Sequence, residues 1–160
     1  CDHAHPDFAD ILCMDDYRHD TYDQWARQLG PVVRHENSAY NVGKDEPVQQ
    51  SSFWLLLPKT KFNILPGPEE LNISVVRPTG LEDTYFGGHS FSTSGEFDPQ
   101  RMAYTADVLV PEDIGLCESV QRGLKSKGYS QGPLVVDPDR SGRGEHALHH
   151  FHRLVQKALG

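Results

Sequence analysis

The sequence has 160 residues, 37% of them hydrophobic and 24% charged, which is one domain's worth of chain and enough to bury about 70% of its unfolded surface. A net charge of −8 argues against a phosphate-binding face, so nucleic acid is excluded as a partner and the acidity serves solubility. No apolar run approaches the ~20 residues of a membrane span, and three cysteines are too few and too odd in number for a disulfide framework. The expectation is a cytoplasmic protein of a reducing compartment, with no membrane partner.

Taken in chain order, "HDTYDQWARQLG" predicts a short helix stopped by Gly30-Pro31. "SSFWLLLP", "KFNILP", "ELNISVVRP" and "DTYFGGHSFSTS" follow as short β-rich runs separated by Pro and Gly punctuation, which predicts an antiparallel meander with turns at Lys59-Thr60 and Glu69-Glu70. "DPQRMAYTADVLV" is weakly helical. "PEDIGLCESVQRGLKS" is stronger, with Pro111 at the first helical position, Glu112 and Asp113 in the first turn, and an apolar stripe of Ile114, Cys117, Val120 and Leu124. After the turn-rich "VDPDRSGRG", the run "GEHALHHFHRLVQKAL" closes the chain with Ala147, Phe151, Leu154, Val155 and Ala158 on one helical face. The predicted fold class is α+β: a curved antiparallel sheet gripping a long C-terminal helix.

Three places carry chemistry. Cys1-Asp2-His3 spells C-x-H, the first half of a Rieske iron–sulfur motif, but neither Cys13 nor Cys117 is followed by the C-x-x-H that would supply the rest. His5, before Pro6, is a second potential ligand, weak evidence by itself. Asp113, on the same helical stripe as Cys117 and Val120, is placed partly inward, and its spacing alone fits an acid at a helix start better than a metal ligand. In "EHALHHFHR", His146 with His150 has zinc-pair spacing, yet Phe151 and Leu154 need the inner face and leave these histidines on the flanks. No G-x-S-x-G, Walker or G-x-G-x-x-G motif is present.

Together, "EDIGLCESVQRGLKSKGYSQGPLV" and "EHALHHFHRLVQKAL" resemble the C-terminal part of the large subunit of Rieske-type non-haem iron oxygenases, most of all the branch that acts on glycine betaine, carnitine, choline and similar quaternary amines. The opening "CDHAHP" resembles the end of that branch's E-C-x-H-C-x-x-x-H-P motif, and "FWLLLPKTKFNILPGPEELNISVVRPTGLEDT" resembles its strand region, with Lys59 where Asn is usual. The resemblance implies a helix-grip fold of the START/Bet v 1 kind. It also implies a mononuclear iron(II) held by two His and one carboxylate, with coordination positions open for O2. His5 matches the second His and Asp113 the carboxylate. The first His is expected just upstream of Cys1, and His3 falls at a variable position and takes no ligand role.

On this resemblance residues 1–160 are a single catalytic domain, inactive alone, whose [2Fe-2S] Rieske domain lies elsewhere. Electrons from NAD(P)H would arrive through a reductase or ferredoxin partner, and the intact protein would be a homotrimer that hydroxylates or N-demethylates a small quaternary amine. Trp54, Phe62, Tyr85, Phe86 and Phe91 form the pool from which a cation-binding aromatic wall is expected. Two rival expectations are an aromatic-ring-hydroxylating dioxygenase domain and a metal-free helix-grip module for an apolar ligand. A zinc hydrolase built on His146 and His150 ranks behind both.

Overall fold

The structure, a computed structural model, describes residues 6–37 and 40–160. Six strands follow one another in space as they do in sequence: β1 (Arg18–Thr21), β2 (Trp25–Pro31), β3 (Gln50–Leu56), β4 (Thr60–Ile64), β5 (Glu70–Pro78) and β6 (Thr84–Ser92). Every neighbouring pair is antiparallel, so each strand hydrogen-bonds to a partner reached by a local connection. Helix α1 (Pro6–Asp10) precedes the sheet. After it come α2 (Pro99–Tyr104), a π-helical turn (Thr105–Leu109), α3 (Val110–Leu124) and the C-terminal α4 (His146–Leu159). The α+β expectation holds.

The segment expected as a helix, residues 19–30, is instead the β1–β2 hairpin. Its Gln, Ala, Arg and Leu residues suit a helix, but pairing along the whole of β3 overrides that propensity. Tyr22 N–H closes the hairpin on Trp25 O at 2.9 Å. The Tyr22 and Trp25 rings then stack at 3.5 Å, and Trp25 stacks on Trp54 of β3 at 5.0 Å. Those aromatic contacts between neighbouring strands reward an extended backbone that a helix would forgo.

Register divides the sheet into two faces. On the inner face lie His19, Ala26, Gln28, Gly30, Ser51, Phe53, Leu55, Lys61, Asn63, Asn72 and Ser74, while Trp25, Arg27, Leu29, Trp54, Phe62, Ile73 and Val75 lie on the outer one. The core sits on the inner face at the β1–β3 end, where Phe8, Ile11, Leu12, Tyr17, Tyr40 and Val42 pack with Val32, Phe53, Leu65 and Tyr104. Space there is tight: a Cβ on Gly30 would meet the Tyr17 ring at 2.6 Å and Ser51 Oγ at 2.8 Å.

The C-terminal helix lies over β1 and β2, with Ala147 buried and Phe151 half-buried. Helix α3 differs from expectation. Among the described elements it packs only on the π turn, and Ile114, Cys117, Val120 and Leu124 are all exposed. Nor is Pro111 at a free helix start, because Leu109 and Val110 already have helical backbone angles. The run from Pro99 to Leu124 is continuous, and the i→i+5 turn just before Pro111 accommodates a residue that cannot donate into a regular ladder. No described helix is long and apolar enough to cross a membrane.

Candidate active site

Acids at the start of α1 and at the start of α3 both act on one phenol. Helix α1 is held by Phe8, whose ring meets Tyr40 edge-on at 5.3 Å and Phe53 of β3 at 6.1 Å. Tyr40 in turn meets Tyr104, the last residue of α2, at 6.0 Å. Burial pushes the Tyr104 hydroxyl pKa up, and the carboxylates of Asp7 and Glu112 push it the same way. Tyr104 therefore senses both Asp7 on α1 and Glu112 on α3. Asp113 is the neighbour of Glu112, and His5 stands two residues before Asp7.

Arg101 fastens α2 to the rest of the domain. Its Nη1 donates to Pro66 O at 2.7 Å and its Nη2 to Asn41 O at 2.9 Å, while the guanidinium lies 5.2 Å from the centre of the Tyr40 ring. The Tyr40 hydroxyl donates to the same Pro66 carbonyl at 3.1 Å, and burial pushes its pKa up to about 12. Gly67 allows this approach: a Cβ there would lie 1.7 Å from Arg101 Nη1, and its φ of +126° suits only glycine. Glu70, which also acts on Tyr40, has one carboxylate oxygen buried without a partner among the described residues.

Beside this junction the inner face of the sheet and α4 enclose a cavity of about 300 Å³. Its apolar wall is Ala26, Phe53 and Leu55 below and Ala147, Leu148 and Phe151 above; its polar wall is Gln28, Lys61 and Asn63. Gln28 accepts from the Tyr17 hydroxyl at 2.9 Å, Asn63 donates to Asn72 at 3.5 Å, and Asn72 donates to Ser90 at 3.2 Å. A second cavity of about 360 Å³ lies between residues 131–136 and the start of α4. Its polar groups already hold the loop: Glu145 accepts from Val135 N–H at 2.7 Å, and His146 Nε2 meets Asp137 O at 2.6 Å. The inner-face cavity, continuous with the Phe8–Phe53 contact, is the better candidate for a ligand.

The expected residues are distributed unevenly. His5, like Cys1 and His3, lies outside the described residues. Asp113 is exposed rather than partly inward, because α3 has no strand against it; Glu112 beside it is half-buried. Of the aromatic pool, Phe86 shares the inner face, with Lys61 Nζ 4.9 Å from its ring centre. Trp54 borders the cavity, but its indole stacks on Trp25 and is capped by Arg27 at 5.2 Å. Phe62, Tyr85 and Phe91 fall on the outer face by register, where Arg77 covers Tyr85 at 5.2 Å. These five do not converge on one wall.

The polar inner face was not among the expected features. Its signal was the run of Lys61, Asn63, Asn72 and Ser74 at alternate positions, a pattern that ordinarily marks a solvated face. Nor do the terminal histidines form a zinc site: among the described residues no group of three or more His, Cys, Asp or Glu is arranged to hold a metal. For iron the fit is therefore partial. Asp7 on α1 and Glu112 on α3 both act on Tyr104, and the described residues do not complete a ligand set.

Residues 12–160 match the family described as ring hydroxylating alpha subunit (catalytic domain). The carnitine monooxygenase oxygenase subunit of Acinetobacter baumannii is 35% identical over 159 residues, covering 97% of this chain and 43% of the relative. The chloroplastic choline monooxygenase of Arabidopsis thaliana is 40% identical over 60 residues, covering 38% of this chain and 13% of the relative. Among solved structures, a quaternary ammonium Rieske monooxygenase described for carnitine oxidation by gut microbiota matches with a TM-score of 0.84 at 34% identity, over 96% of this chain and 42% of that one. The CntA monooxygenase in complex with its substrate γ-butyrobetaine matches at 0.75 and 31% identity, over 98% and 40%. The chain thus spans less than half the length of the carnitine monooxygenase subunits it resembles. With the sheet, the C-terminal helix and nearly the whole sequence in agreement, the chain belongs to the ring-hydroxylating alpha subunit catalytic-domain family.

Proposed function

We propose that residues 1–160 are the catalytic domain of a Rieske-type oxygenase that acts on small quaternary ammonium compounds such as γ-butyrobetaine, carnitine, choline or glycine betaine. The observation that carries this reading is the match to quaternary ammonium Rieske monooxygenases over 96% of the chain. In this reading His5 and Asp113 hold iron(II), with a further His upstream of Cys1. What supports these positions is the resemblance that matched them, together with Asp7 and Glu112, their sequence neighbours, both acting on Tyr104. When bound, the iron supplies O2 activation, with NAD(P)H-derived electrons delivered by a reductase through a [2Fe-2S] Rieske cluster in another part of the protein; a homotrimer is the assembly this reading carries.

The chain's own contribution is to hold and shelter. Phe8, Tyr40 and Tyr104 fix the α1–α3 junction against the sheet, so the two carboxylate-bearing helix starts keep their relation to the cavity. The Phe53 and Phe151 rings supply aromatic faces for a trimethylammonium group, an attraction worth up to ~2 kcal/mol when desolvated. Helix α4 supplies the upper, apolar side of the cavity through Ala147, Leu148 and Phe151. Anaerobic iron(II) calorimetry on this chain, and on a form extended upstream through the expected first His, tests the reading. Iron binding at one site in the extended form, abolished by Asp113→Ala, is the expected result. No iron binding by either form overturns it in favour of a metal-free module.

A further inference from the structure

Two of the side chains on the inner face of β2–β6 are charged, Glu70 and Lys61, and they stand apart. Glu70 lies at the Tyr40 end, near the α1–α3 junction, and Lys61 lies in the wall of the cavity under α4. Lys61 is half-exposed, yet it stands in the wall of a cavity whose opposite side is apolar, where a cation without a pairing partner calls for an anionic one. Among the described residues Lys61 makes no salt bridge, although the chain as a whole carries an acidic excess. Its observed neighbour is the face of Phe86, which leaves the ammonium free to donate.

Around it stand amide groups. Asn63 is two residues along the same strand face, with only a 3.5 Å bond to Asn72, and Gln28 spends its oxygen on Tyr17 and keeps its NH2. The opposite wall is apolar. The cavity thus has donors on one side and apolar and aromatic surface on the other, and at about 300 Å³ it sits at the small end of ligand sites.

We infer that Lys61, assisted by Asn63, is the specificity-determining anion seat of this cavity, reading a carboxylate carried at the far end of a small quaternary ammonium zwitterion. This rests on the reading proposed above and deepens it, since it separates carboxylated substrates from carboxylate-free amino alcohols. The ammonium of Lys61 donates to the carboxylate, while the trimethylammonium end lies toward Phe53 and Phe151. A cation without an acidic partner would be an obstacle to a purely cationic substrate and an asset to a zwitterion.

Calorimetry of the 160-residue chain with γ-butyrobetaine and with choline tests this, using the parent, Lys61→Met and Lys61→Arg, each checked for native circular dichroism. The parent should bind γ-butyrobetaine at least roughly tenfold more tightly than choline, the lower end of one charge-assisted hydrogen bond. Lys61→Met should erase that ratio while leaving choline binding in place, and Lys61→Arg should retain most of it. A ratio unchanged in Lys61→Met overturns the role of Lys61 and leaves the quaternary ammonium reading standing. Absence of binding by both ligands in the parent overturns both. If Lys61→Met misfolds, Lys61→Gln and the ionic-strength dependence of the parent's ratio decide: a ratio insensitive to salt and to Lys61→Gln rejects a charge-based seat.

Discussion

Replacing Arg101 by alanine removes the clamp that ties α2 to the sheet side of the domain. The side chain is 15% exposed, donates two hydrogen bonds to backbone carbonyls and lies over the Tyr40 ring. A hydrogen bond from a charged group contributes about 1.5–3 kcal/mol and a partly desolvated cation–π contact about 0.5–1 kcal/mol. The bond to Asn41 O is exposed and belongs at the low end, and Pro66 O keeps the Tyr40 hydroxyl after the change, so it is not left bare. A loss of about 3 kcal/mol follows, or a Tm lower by about 10 °C for a chain of this size. Urea unfolding followed by tryptophan fluorescence reads it directly. Arg101→Lys keeps the charge without the fork and should recover less than half of the loss. An Arg101→Ala protein within about 0.5 kcal/mol of the parent, or a lysine variant as stable as the parent, would refute the account of the clamp.

Three further outcomes are expected. Gly30→Ala should destabilise by about 1–3 kcal/mol, because its Cβ meets Tyr17 and Ser51; thermal unfolding checks this, and Tyr17→Leu in the same chain should relieve part of it. His19 has a pKa lowered by burial and by the nearby His146 and Arg140, so the unfolded chain binds the extra proton first. Stability should therefore be fully present above about pH 6.5 and fall as pH drops below it, and His19→Asn should flatten urea midpoints measured across that range. Tyr17 and Tyr40 have pKa values pushed up to about 12 by burial, so stability held below about pH 10 should be lost as pH rises past it. Ultraviolet titration should show Tyr17 and Tyr40 among the phenols that ionise late or only on unfolding, and Tyr17→Phe and Tyr40→Phe should each remove one of these.

Strands β3 to β6 were legible because turn residues bracket each run and the register they impose is local. The β1–β2 hairpin was not, since its composition favours a helix and the deciding term is pairing with β3, some 25 residues away in sequence. The apolar stripe of α3 is legible as periodicity, yet periodicity shows only which residues share a face; Ile114 and Val120 share one that no described element covers. Asp113 and His5 stand out in the sequence, but their pairing as iron ligands rests on resemblance, and of the two the structure describes only Asp113. Lys61 and Asn63 were overlooked for a physical reason. In "TKFNI" the polar positions alternate with Phe62 and Ile64, and the usual rule puts the polar side in water. Here the polar side faces the cavity, and only the cavity it lines together with Ala147, Leu148 and Phe151 reveals which parity is inside.

The π-helical turn lets chain length vary without changing where α3 points. One residue of regular α-helix corresponds to about 100° of rotation and 1.5 Å of advance, so an insertion there would re-aim everything that follows. An i→i+5 turn takes up one extra residue within a single turn, so deleting a residue from Thr105–Leu109 would restore ordinary winding and leave Glu112 and Asp113 close to their present direction. In evolution such a segment acts as slack: a one-residue insertion or loss is absorbed there, and the row of side chains along α3 keeps its aim.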